Sequence, residues 1–313
     1  MKVILAGQHA RHAPRLQRLL GGTCEVHGLE ILPASGPIAA DALITMRLDA
    51  DQASRLQCAL LHVPGVGLDA IAVGALPAGT RLCNVSEHEI PIAEFVVHAV
   101  LDHAIFTRPI PPLDEAHWPQ AYMQRSFHGE AHGRRAAIVG FGAIGRAVAA
   151  RLNALGIHVT AVTRGLHGTE GADAHHPVSE LAALLPDVDV LVLCCPLTED
   201  TEGMIGEAEL AAMHADALLI NVGRGPLVQE AALYDALLHR RIGRAVLDVW
   251  YHYPVAGQAS LAPSAFPFHS LANARCTPHI SGWTQGLLDR RYAFIARNIE
   301  RLRAGEPLLN TVR

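Results

Sequence analysis

The chain contains two stretches in which short apolar runs alternate with helix-like patterns. In the first stretch, apolar runs predict buried strands at residues 2–7, 42–46, 60–63 and 82–85. Helix-like segments lie between them at residues 15–20 and 53–57. This alternation is typical of a parallel sheet flanked by helices. Residues 92–105 then form an apolar stretch that predicts a long buried helix.

A second and larger stretch begins at residue 135, after prolines at 109–112 and an irregular arm that extends to residue 133. Its apolar runs predict strands at residues 136–140, 158–162, 188–194, 217–222, 245–249 and 274–277. A long loop rich in proline, alanine and serine is predicted at residues 253–271, and a last helix at residues 285–303.

The segment from Ala136 to Arg146 leads from a β-type run directly into Gly-Phe-Gly-Ala-Ile-Gly and a helix-forming stretch. Gly140 allows a tight turn, Gly142 lets the backbone approach a pyrophosphate, and Gly145 lets the helix pack closely on the strand. The N–H groups at the start of that helix then face negative phosphates. Because strand, loop, helix and second strand come in this order, the segment predicts a bound dinucleotide.

The end of the next predicted strand bears on the choice between NAD(H) and NADP(H). A carboxylate about 20 residues after the glycines binds the ribose hydroxyls of NAD, whereas an arginine pairs with the 2′-phosphate of NADP. Thr163 and Arg164 stand at this point, and the first carboxylate is Glu170. A planar guanidinium suits phosphate, so we expect NADP to be preferred and NAD to be the alternative. If Arg164 is only a solvated loop residue, the neutral site takes both.

The predicted fold class is α/β, with two doubly wound parallel-sheet domains. A Rossmann cofactor domain, residues 104–283, is inserted in a smaller flavodoxin-like substrate domain made of residues 1–103 and 284–313. A chain of 313 residues is long enough for about two domains. The last helix is expected to return to the first domain and close it.

Three polar segments follow successive predicted strands of the second domain. Arg224 lies in Asn-Val-Gly-Arg-Gly, Asp248 in Leu-Asp-Val, and His279 in Thr-Pro-His. In doubly wound sheets, ligands bind outside the carboxyl ends of the strands. An arginine, an aspartate and a histidine on successive strand ends beside a nucleotide loop therefore indicate a catalytic site.

These motifs resemble those of the D-isomer-specific 2-hydroxyacid dehydrogenase family, which includes glyoxylate and hydroxypyruvate reductases. The resemblance covers essentially the whole chain. In the first domain the matching segments are residues 64–69 and 92–94. In the second domain they are the glycine loop and residues 195–201, 221–225, 247–249 and 277–279.

The resemblance implies reversible reduction of a small 2-oxo acid to a D-2-hydroxy acid by a nicotinamide cofactor. His279 would be the acid/base, Arg224 would bind and polarise the substrate, and the backbone of Val66 and Gly67 would take the substrate carboxylate. Trp283 either walls the substrate pocket or packs between domains. Further cofactor contacts implied by the matched motifs are Ala143, Ile144, Cys195, Pro196, Thr201, Val222, Gly223, Asp248 and Gly282. A guanidinium that stabilises alkoxide charge and an imidazolium that gives a proton suit this chemistry.

One position departs from the family pattern. The family places a glutamate five residues after the aspartate, where it bonds to the catalytic histidine, and Tyr253 stands there in this chain. A phenol orients an imidazole through a hydrogen bond but lacks the charge that favours its protonated form. We expect Tyr253 to orient His279 and to leave it less basic, so that activity falls more steeply above neutral pH.

Two other functions stay open at this point. Formate dehydrogenases lack the same glutamate and share an Asp-Val-Trp run, but their formate-binding asparagine aligns with His88. A corepressor-like protein that only senses dinucleotides would also tolerate loss of the glutamate. The presence of both Arg224 and His279 argues against such a protein.

Composition narrows the function classes further. The net charge of −5 leaves no basic surplus for nucleic acid, and no apolar run of about 18 residues predicts a membrane span. The 19 histidines show no ligand spacing that predicts a metal site. Six cysteines without a paired spacing favour reduced thiols in a cytoplasmic protein. Because members of the family are commonly dimers, we expect the arm at residues 104–134 to pair two subunits.

Overall fold

The computed structural model describes residues 1–105, 112–165, 170–254 and 258–312. Within these residues the strands are β1 (Lys2–Ala6), β2 (Glu25–Leu29), β3 (Ile38–Ala39), β4 (Ala42–Ile44), β5 (Leu56–Gln57), β6 (Leu60–Val63), β7 (Arg81–Asn84), β8 (Arg135–Val139), β9 (His158–Thr163), β10 (Ala174–Pro177), β11 (Val190–Leu193), β12 (Leu218–Asn221), β13 (Arg244–Leu247) and β14 (Ala274–Cys276). The α-helices are α1 (Ala13–Leu20), α2 (Ala50–Ser54), α3 (Glu89–Ile105), α4 (Trp118–Met123), α5 (Ala143–Ala154), α6 (Leu181–Leu184), α7 (Glu207–Ala212), α8 (Glu230–Leu238) and α9 (Gln285–Ala304).

The chain divides into two compact units, one of Met1–His88 with Trp283–Arg313 and one of Glu89–Gly282. Each unit contains a parallel sheet flanked by helices, so the predicted α/β class with two parallel sheets is confirmed. The first division falls one helix earlier than the predicted boundary at residue 103. The reason is that buried side chains of α3 belong to the same apolar cluster as β8 and α5 of the second unit.

The first unit carries a five-stranded sheet in the order β2-β1-β4-β6-β7. Counted along the sheet strands alone this is 2-1-3-4-5, the flavodoxin-like order. One face of the sheet packs against α1 and α9, where Tyr292 and Ile295 are fully buried beside Val3 and Leu5. β2 was not predicted, because Glu-Val-His-Gly-Leu at a sheet edge is only partly buried and has no apolar run.

The second unit carries a seven-stranded sheet in the order β10-β9-β8-β11-β12-β13-β14. Counted within the unit this is 3-2-1-4-5-6-7, the doubly wound dinucleotide order extended by one strand. The order reverses between β8 and β11, and ligands bind at such switch points. The sequence predicted six of these strands and missed the edge strand β10, whose Ala-His-His-Pro sequence is polar.

Three local predictions need correction or fall outside the described residues. Residues 53–57 were predicted as helix, but α2 ends at Ser54 and residues 56–57 form the short strand β5. The arm predicted as irregular contains α4, whose six residues are too few to show a periodic pattern. The break predicted at residues 109–112 lies almost entirely outside the described residues, and α3 ends before it at Ile105.

No helix in the described ranges is both long and apolar enough to cross a bilayer. No group of three or more histidine, cysteine, aspartate or glutamate side chains there has the arrangement of a metal site. All six cysteines are free thiols.

Candidate active site

Six neighbouring strands of the second unit end in one row, and the predicted site residues emerge just beyond it. The paired residues that form the row are Val162, Val139, Leu193, Asn221, Leu247 and Cys276. Because all of these strands are parallel, the segments that follow them leave the sheet at the same edge. The glycine loop, Arg224, Asp248 and His279 therefore belong to one edge of this sheet.

The glycine loop follows β8 and opens α5. Gly140 has a φ of +95°, and a Cβ there would lie 2.6 Å from the backbone nitrogen of Cys195, so only glycine fits. Gly145 packs so tightly on the Gly140 carbonyl oxygen that a side chain is excluded. Gly142 caps α5, and a Cβ on it would meet no atom within 4 Å. The first turn, which includes Ala143 and Ile144, carries no acidic residue, so its N–H groups are suited to a phosphate.

The end of β9 carries the residues expected at the adenosine ribose. The Thr163 hydroxyl donates to the carbonyl of Gly165 and lies 2.8 Å from Nε2 of His175 on β10. Since the hydroxyl has one hydrogen, it accepts from an Nε2–H of His175. Arg164 follows directly and is exposed. The sequence did not predict this role for His175, because its contact with Thr163 depends on the pairing of β9 with the unpredicted β10.

The loops after β11 and β12 pack closely on one another. A Cβ on Gly223 would lie 2.9 Å from the carbonyl oxygen of Cys195, which is 8% exposed. Thr201 is also buried, and its hydroxyl closes its own loop by donating to the Pro196 carbonyl at 2.8 Å. These residues, with the buried Val222, form a compact wall beside the glycine loop.

Asn221 shapes the turn that presents Arg224, a role that was not predicted. The Asn221 amide donates to the Arg224 carbonyl at 2.8 Å and accepts from the Gly223 N–H at 3.1 Å. The side chain is 1% exposed, so both bonds are shielded from water. Arg224 itself is half-buried, and its Nη1 donates to the Gly223 carbonyl at 2.8 Å. The guanidinium is therefore held close to the end of β12.

Asp248 is fully buried and binds the segment that carries His279. One carboxylate oxygen accepts from the Thr277 hydroxyl at 2.6 Å and from the Ile280 N–H at 2.7 Å, and the other accepts from the Ser281 N–H at 2.9 Å. The resemblance assigned Asp248 to the cofactor. The structure adds that this carboxylate holds the segment on both sides of His279, through a side-chain hydroxyl before it and two backbone N–H groups after it. Gly282, the residue after Ser281, is the last residue of the second unit.

His279 lies in a strained backbone conformation and bonds to Tyr253. Its φ is +58°, in the left-handed region that costs a residue with a Cβ about 1–3 kcal/mol. Its Nδ1 lies 2.9 Å from the Tyr253 hydroxyl oxygen, which also accepts from the Trp250 N–H at 3.1 Å. The imidazole therefore directs Nε2 away from Tyr253. The predicted contact between Tyr253 and His279 is present.

The electrostatic surroundings keep His279 weakly basic. Partial desolvation of the imidazole lowers the pKa of His279 below its usual value, and the charge of Arg224 acts in the same direction. The Asp248 carboxylate opposes this shift. Burial also raises the pKa of Tyr253, so its phenol stays protonated at neutral pH. The pair is thus a neutral phenol beside an imidazole that gives up its proton readily.

The remaining predicted residues, Val66, Gly67 and Trp283, belong to the first unit. The Val66 carbonyl accepts from the Asn84 amide at 3.0 Å, which ties the loop after β6 to the end of β7. The Val66 residue is 48% exposed. Trp283 is 44% exposed, and the guanidinium carbon of Arg291 lies 5.8 Å from its ring centre.

The sequence pattern of the NAD binding domain of the D-isomer specific 2-hydroxyacid dehydrogenase family matches residues 106–281. The chain belongs to this family. Glyoxylate/hydroxypyruvate reductase B of Klebsiella pneumoniae is 28% identical over 298 residues, which are 94% of this chain and 83% of the reductase. D-3-phosphoglycerate dehydrogenase of Mycobacterium bovis is 30% identical over 278 residues, which are 85% of this chain and 50% of that enzyme. The chain thus spans about half the length of the phosphoglycerate dehydrogenases that it matches.

A solved structure of the same family has the same fold. The D-isomer specific 2-hydroxyacid dehydrogenase from Xanthobacter autotrophicus, in complex with NADPH and MES, superposes with a TM-score of 0.77. It is 26% identical in sequence, and the match covers 99% of this chain and 98% of that one. This chain, with its two parallel sheets, therefore has the fold of its family.

Asp248→Asn tests whether the buried carboxylate holds the His279 segment. The substitution turns one accepting oxygen into an NH2 group that faces a donor, so we expect the free energy of unfolding to fall by about 2–3 kcal/mol. Urea denaturation measures this loss. Asp235→Asn is the matched control, because Asp235 is only half-buried where it pairs with Arg241, and its loss costs less than about 1 kcal/mol. Equal losses in the two variants would show that the Asp248 carboxylate does not hold the His279 segment.

Proposed function

We propose that this chain reduces small 2-oxo acids to D-2-hydroxy acids with NADPH, and that it uses NADH less well. The observation that carries this proposal is the bond between Tyr253 and His279 at the same sheet edge as Arg224 and the glycine loop. Hydride reduction of a ketone needs a cofactor site, a cation for the developing alkoxide and a proton donor. The residues at this edge supply one of each.

The glycine loop fits a dinucleotide by its own geometry. The positive φ of Gly140, the open space in front of Gly142 and the acid-free first turn of α5 leave room and N–H donors for a pyrophosphate. When bound, NADPH supplies the hydride. We assign Arg164 to the 2′-phosphate, since it follows Thr163 at the end of β9 and is exposed. The relative from Xanthobacter autotrophicus was solved with NADPH, which supports this preference.

Arg224 and His279 divide the work at the carbonyl group. We assign substrate binding and polarisation to Arg224, whose fixed guanidinium stabilises the charge that builds on the carbonyl oxygen. We assign the proton to Nε2 of His279, because Nδ1 faces Tyr253. The backbone of Val66 and Gly67 takes the substrate carboxylate, as the resemblance implies, and Trp283 borders the substrate in this proposal.

Tyr253 orients His279 in both of its protonation states. The phenol oxygen accepts from Nδ1–H when the imidazole is charged and also after Nε2 has given up its proton, and the phenol donates to Nδ1 in the other neutral tautomer. A carboxylate in its place pairs only with the N–H and so favours the charged form. Tyr253 therefore keeps the ring in position without making it more basic.

The exposed arm of the second unit supports a homodimer. Four large apolar or aromatic side chains lie at the surface within a short stretch, and they are Trp118, Tyr122, Met123 and Phe127. Phe127 is fully exposed. A patch of this kind marks an interaction surface more often than a free one. We propose that it contacts a second copy of this chain.

The activity is tested by following NADPH and NADH oxidation with glyoxylate, hydroxypyruvate, phenylpyruvate and related 2-oxo acids. We expect turnover with at least one of them and a loss of about 100-fold or more in kcat for His279→Gln, since general acid catalysis is removed. The same variant should bind NADPH as wild type does, as measured by cofactor fluorescence. Formate with NADP+ or NAD+ is assayed alongside. NADPH binding without turnover of any 2-oxo acid would favour the nucleotide-sensing function instead.

The pH dependence of reduction tests the role of Tyr253. Reduction needs protonated His279, and its pKa lies below the usual 6.5. The value of kcat/KM should therefore fall as pH rises, beginning below pH 6.5. Tyr253→Glu adds a carboxylate and should move this basic limb up by about 1 pH unit. Tyr253→Phe removes the bond without adding charge and should not raise the limb. A wild-type limb well above neutrality would contradict the assignment.

Arg164→Ala tests the cofactor preference. Removing one charge-assisted contact with the 2′-phosphate should raise the KM for NADPH by about tenfold and leave the KM for NADH nearly unchanged. Arg303→Ala, at an exposed arginine in the last turn of α9, is the control. A parallel change in both KM values would show that Arg164 does not read the phosphate.

A further inference from the structure

Arg291 is a buried cation in the first unit. It lies on α9 and is 4% exposed. Its Nη2 donates to Nε2 of His88 at 2.7 Å, and its Nε is buried without a hydrogen-bond partner. His88 Nδ1 lies 2.8 Å from the Ser86 carbonyl, so it carries the hydrogen and Nε2 is the acceptor of a neutral ring. The contact with His88 therefore brings no negative charge to Arg291.

Glu87, next to His88 in the sequence, and Asp289, two residues before Arg291, are already paired with other arginines. Glu87 lies 3.1 Å from Nε of Arg290, and Asp289 lies 2.6 Å from Nη1 of Arg15. Over the described residues, Arg291 forms no ion pair with a carboxylate. A buried charge without a counter-charge is costly to a folded protein.

The neighbours of Arg291 are aromatic and imidazole rings. The Trp283 ring centre lies 5.8 Å from its guanidinium carbon. Trp283 itself is 44% exposed. Burial, and after it the positive charge of Arg291, lowers the pKa of His9 to about 3. His9 is therefore neutral and brings no charge to Arg291.

Arg291 lies at the same end of the first sheet, beyond the carboxyl ends of its strands, as the loop assigned to the substrate carboxylate. β6 and β7 end side by side, with Val63 paired to Asn84. The loop of Val66 follows β6 and bonds to Asn84, whereas His88 follows β7 and bonds to Arg291. Both features therefore lie beyond the carboxyl ends of two neighbouring strands.

We propose that Arg291 is the centre of an oxyanion subsite in the first unit, which takes the carboxylate or phosphate at the far end of a 2-oxo acid. A guanidinium suits either group because its fork of N–H donors matches two oxygens. An anion here supplies the counter-charge that the described residues lack. The choice of a 2-oxo acid as its source rests on the proposed function, whereas the anion site does not. The other source of the same chemistry is a free phosphate ion.

The anion site is tested without turnover, by thermal unfolding in the presence and absence of millimolar inorganic phosphate. Phosphate should raise the Tm of the wild-type protein by about 3 °C or more, and that of Arg291→Met by less than about 1 °C. In phosphate-free buffer, Arg291→Met should melt at the wild-type temperature or above it, since an uncompensated charge is removed. Arg297→Met, at an exposed arginine of α9, is the control.

A purely structural arginine gives the opposite pattern. Arg291→Met would then melt several degrees below wild type in phosphate-free buffer, and phosphate would shift both proteins equally. That result would overturn the proposal. Arg291→Lys keeps the charge but loses the fork, so it should retain only part of the phosphate effect.

The source of the anion is tested with 2-oxoglutarate and with 2-oxoglutaramate, which keeps the carboxylate beside the ketone and has an uncharged amide in place of the distal carboxylate. If the substrate supplies the anion, Arg291→Met raises the KM for 2-oxoglutarate by about 30-fold or more and that for 2-oxoglutaramate by less than about threefold. Equal KM changes together with an Arg291-dependent phosphate shift assign the site to free phosphate and overturn the substrate assignment. If no 2-oxo acid is turned over, the proposed function fails, while the thermal shift still decides the anion site.

Discussion

The Asp248 carboxylate accepts three hydrogen bonds from the segment that follows the next strand, and the position of His279 depends on them. Hydrogen bonds to a buried charge contribute about 1.5–3 kcal/mol each. Together they offset both the burial of the carboxylate and the cost of about 1–3 kcal/mol for the left-handed backbone of His279. The strained residue is therefore stable because its neighbours Thr277, Ile280 and Ser281 are bound to a carboxylate on the adjacent strand.

Two different residues hold the backbone of His279 and orient its imidazole ring. Asp248 fixes the backbone, whereas Tyr253 bonds to Nδ1 and sets the direction of Nε2. The Tyr253 oxygen is itself held by the Trp250 N–H. Since the phenol carries no charge, the electrostatic contribution to the basicity of His279 comes from Asp248 and Arg224, which act in opposite directions. A glutamate in place of Tyr253 would combine orientation with charge in one residue.

Features that depend on local spacing could be predicted from the sequence, and features that depend on long-range contacts could not. The glycine loop, the long apolar helix and the buried central strands carry local signals. The edge strands β2 and β10 carry weak ones, because an edge strand is covered on fewer sides and needs no apolar run. The Asp248 bonds go mainly to backbone N–H groups, which have no side-chain signature. The burial of Arg291 depends on the packing of α9, which the sequence of the helix does not show.

The retention of a buried cation without a carboxylate partner is an energetic argument for a ligand. Removing one partner of a buried ion pair costs about 3–5 kcal/mol, and a folded protein has a margin of only about 5–15 kcal/mol. The bond to His88 and the face of Trp283 offset part of that cost for Arg291. Neither supplies negative charge. The part of the burial cost that they do not offset therefore favours binding of an anion at Arg291. Arg291 and the Val66 loop both follow the ends of neighbouring strands, so in the proposed function one acidic group of a two-acid substrate is assigned to each place.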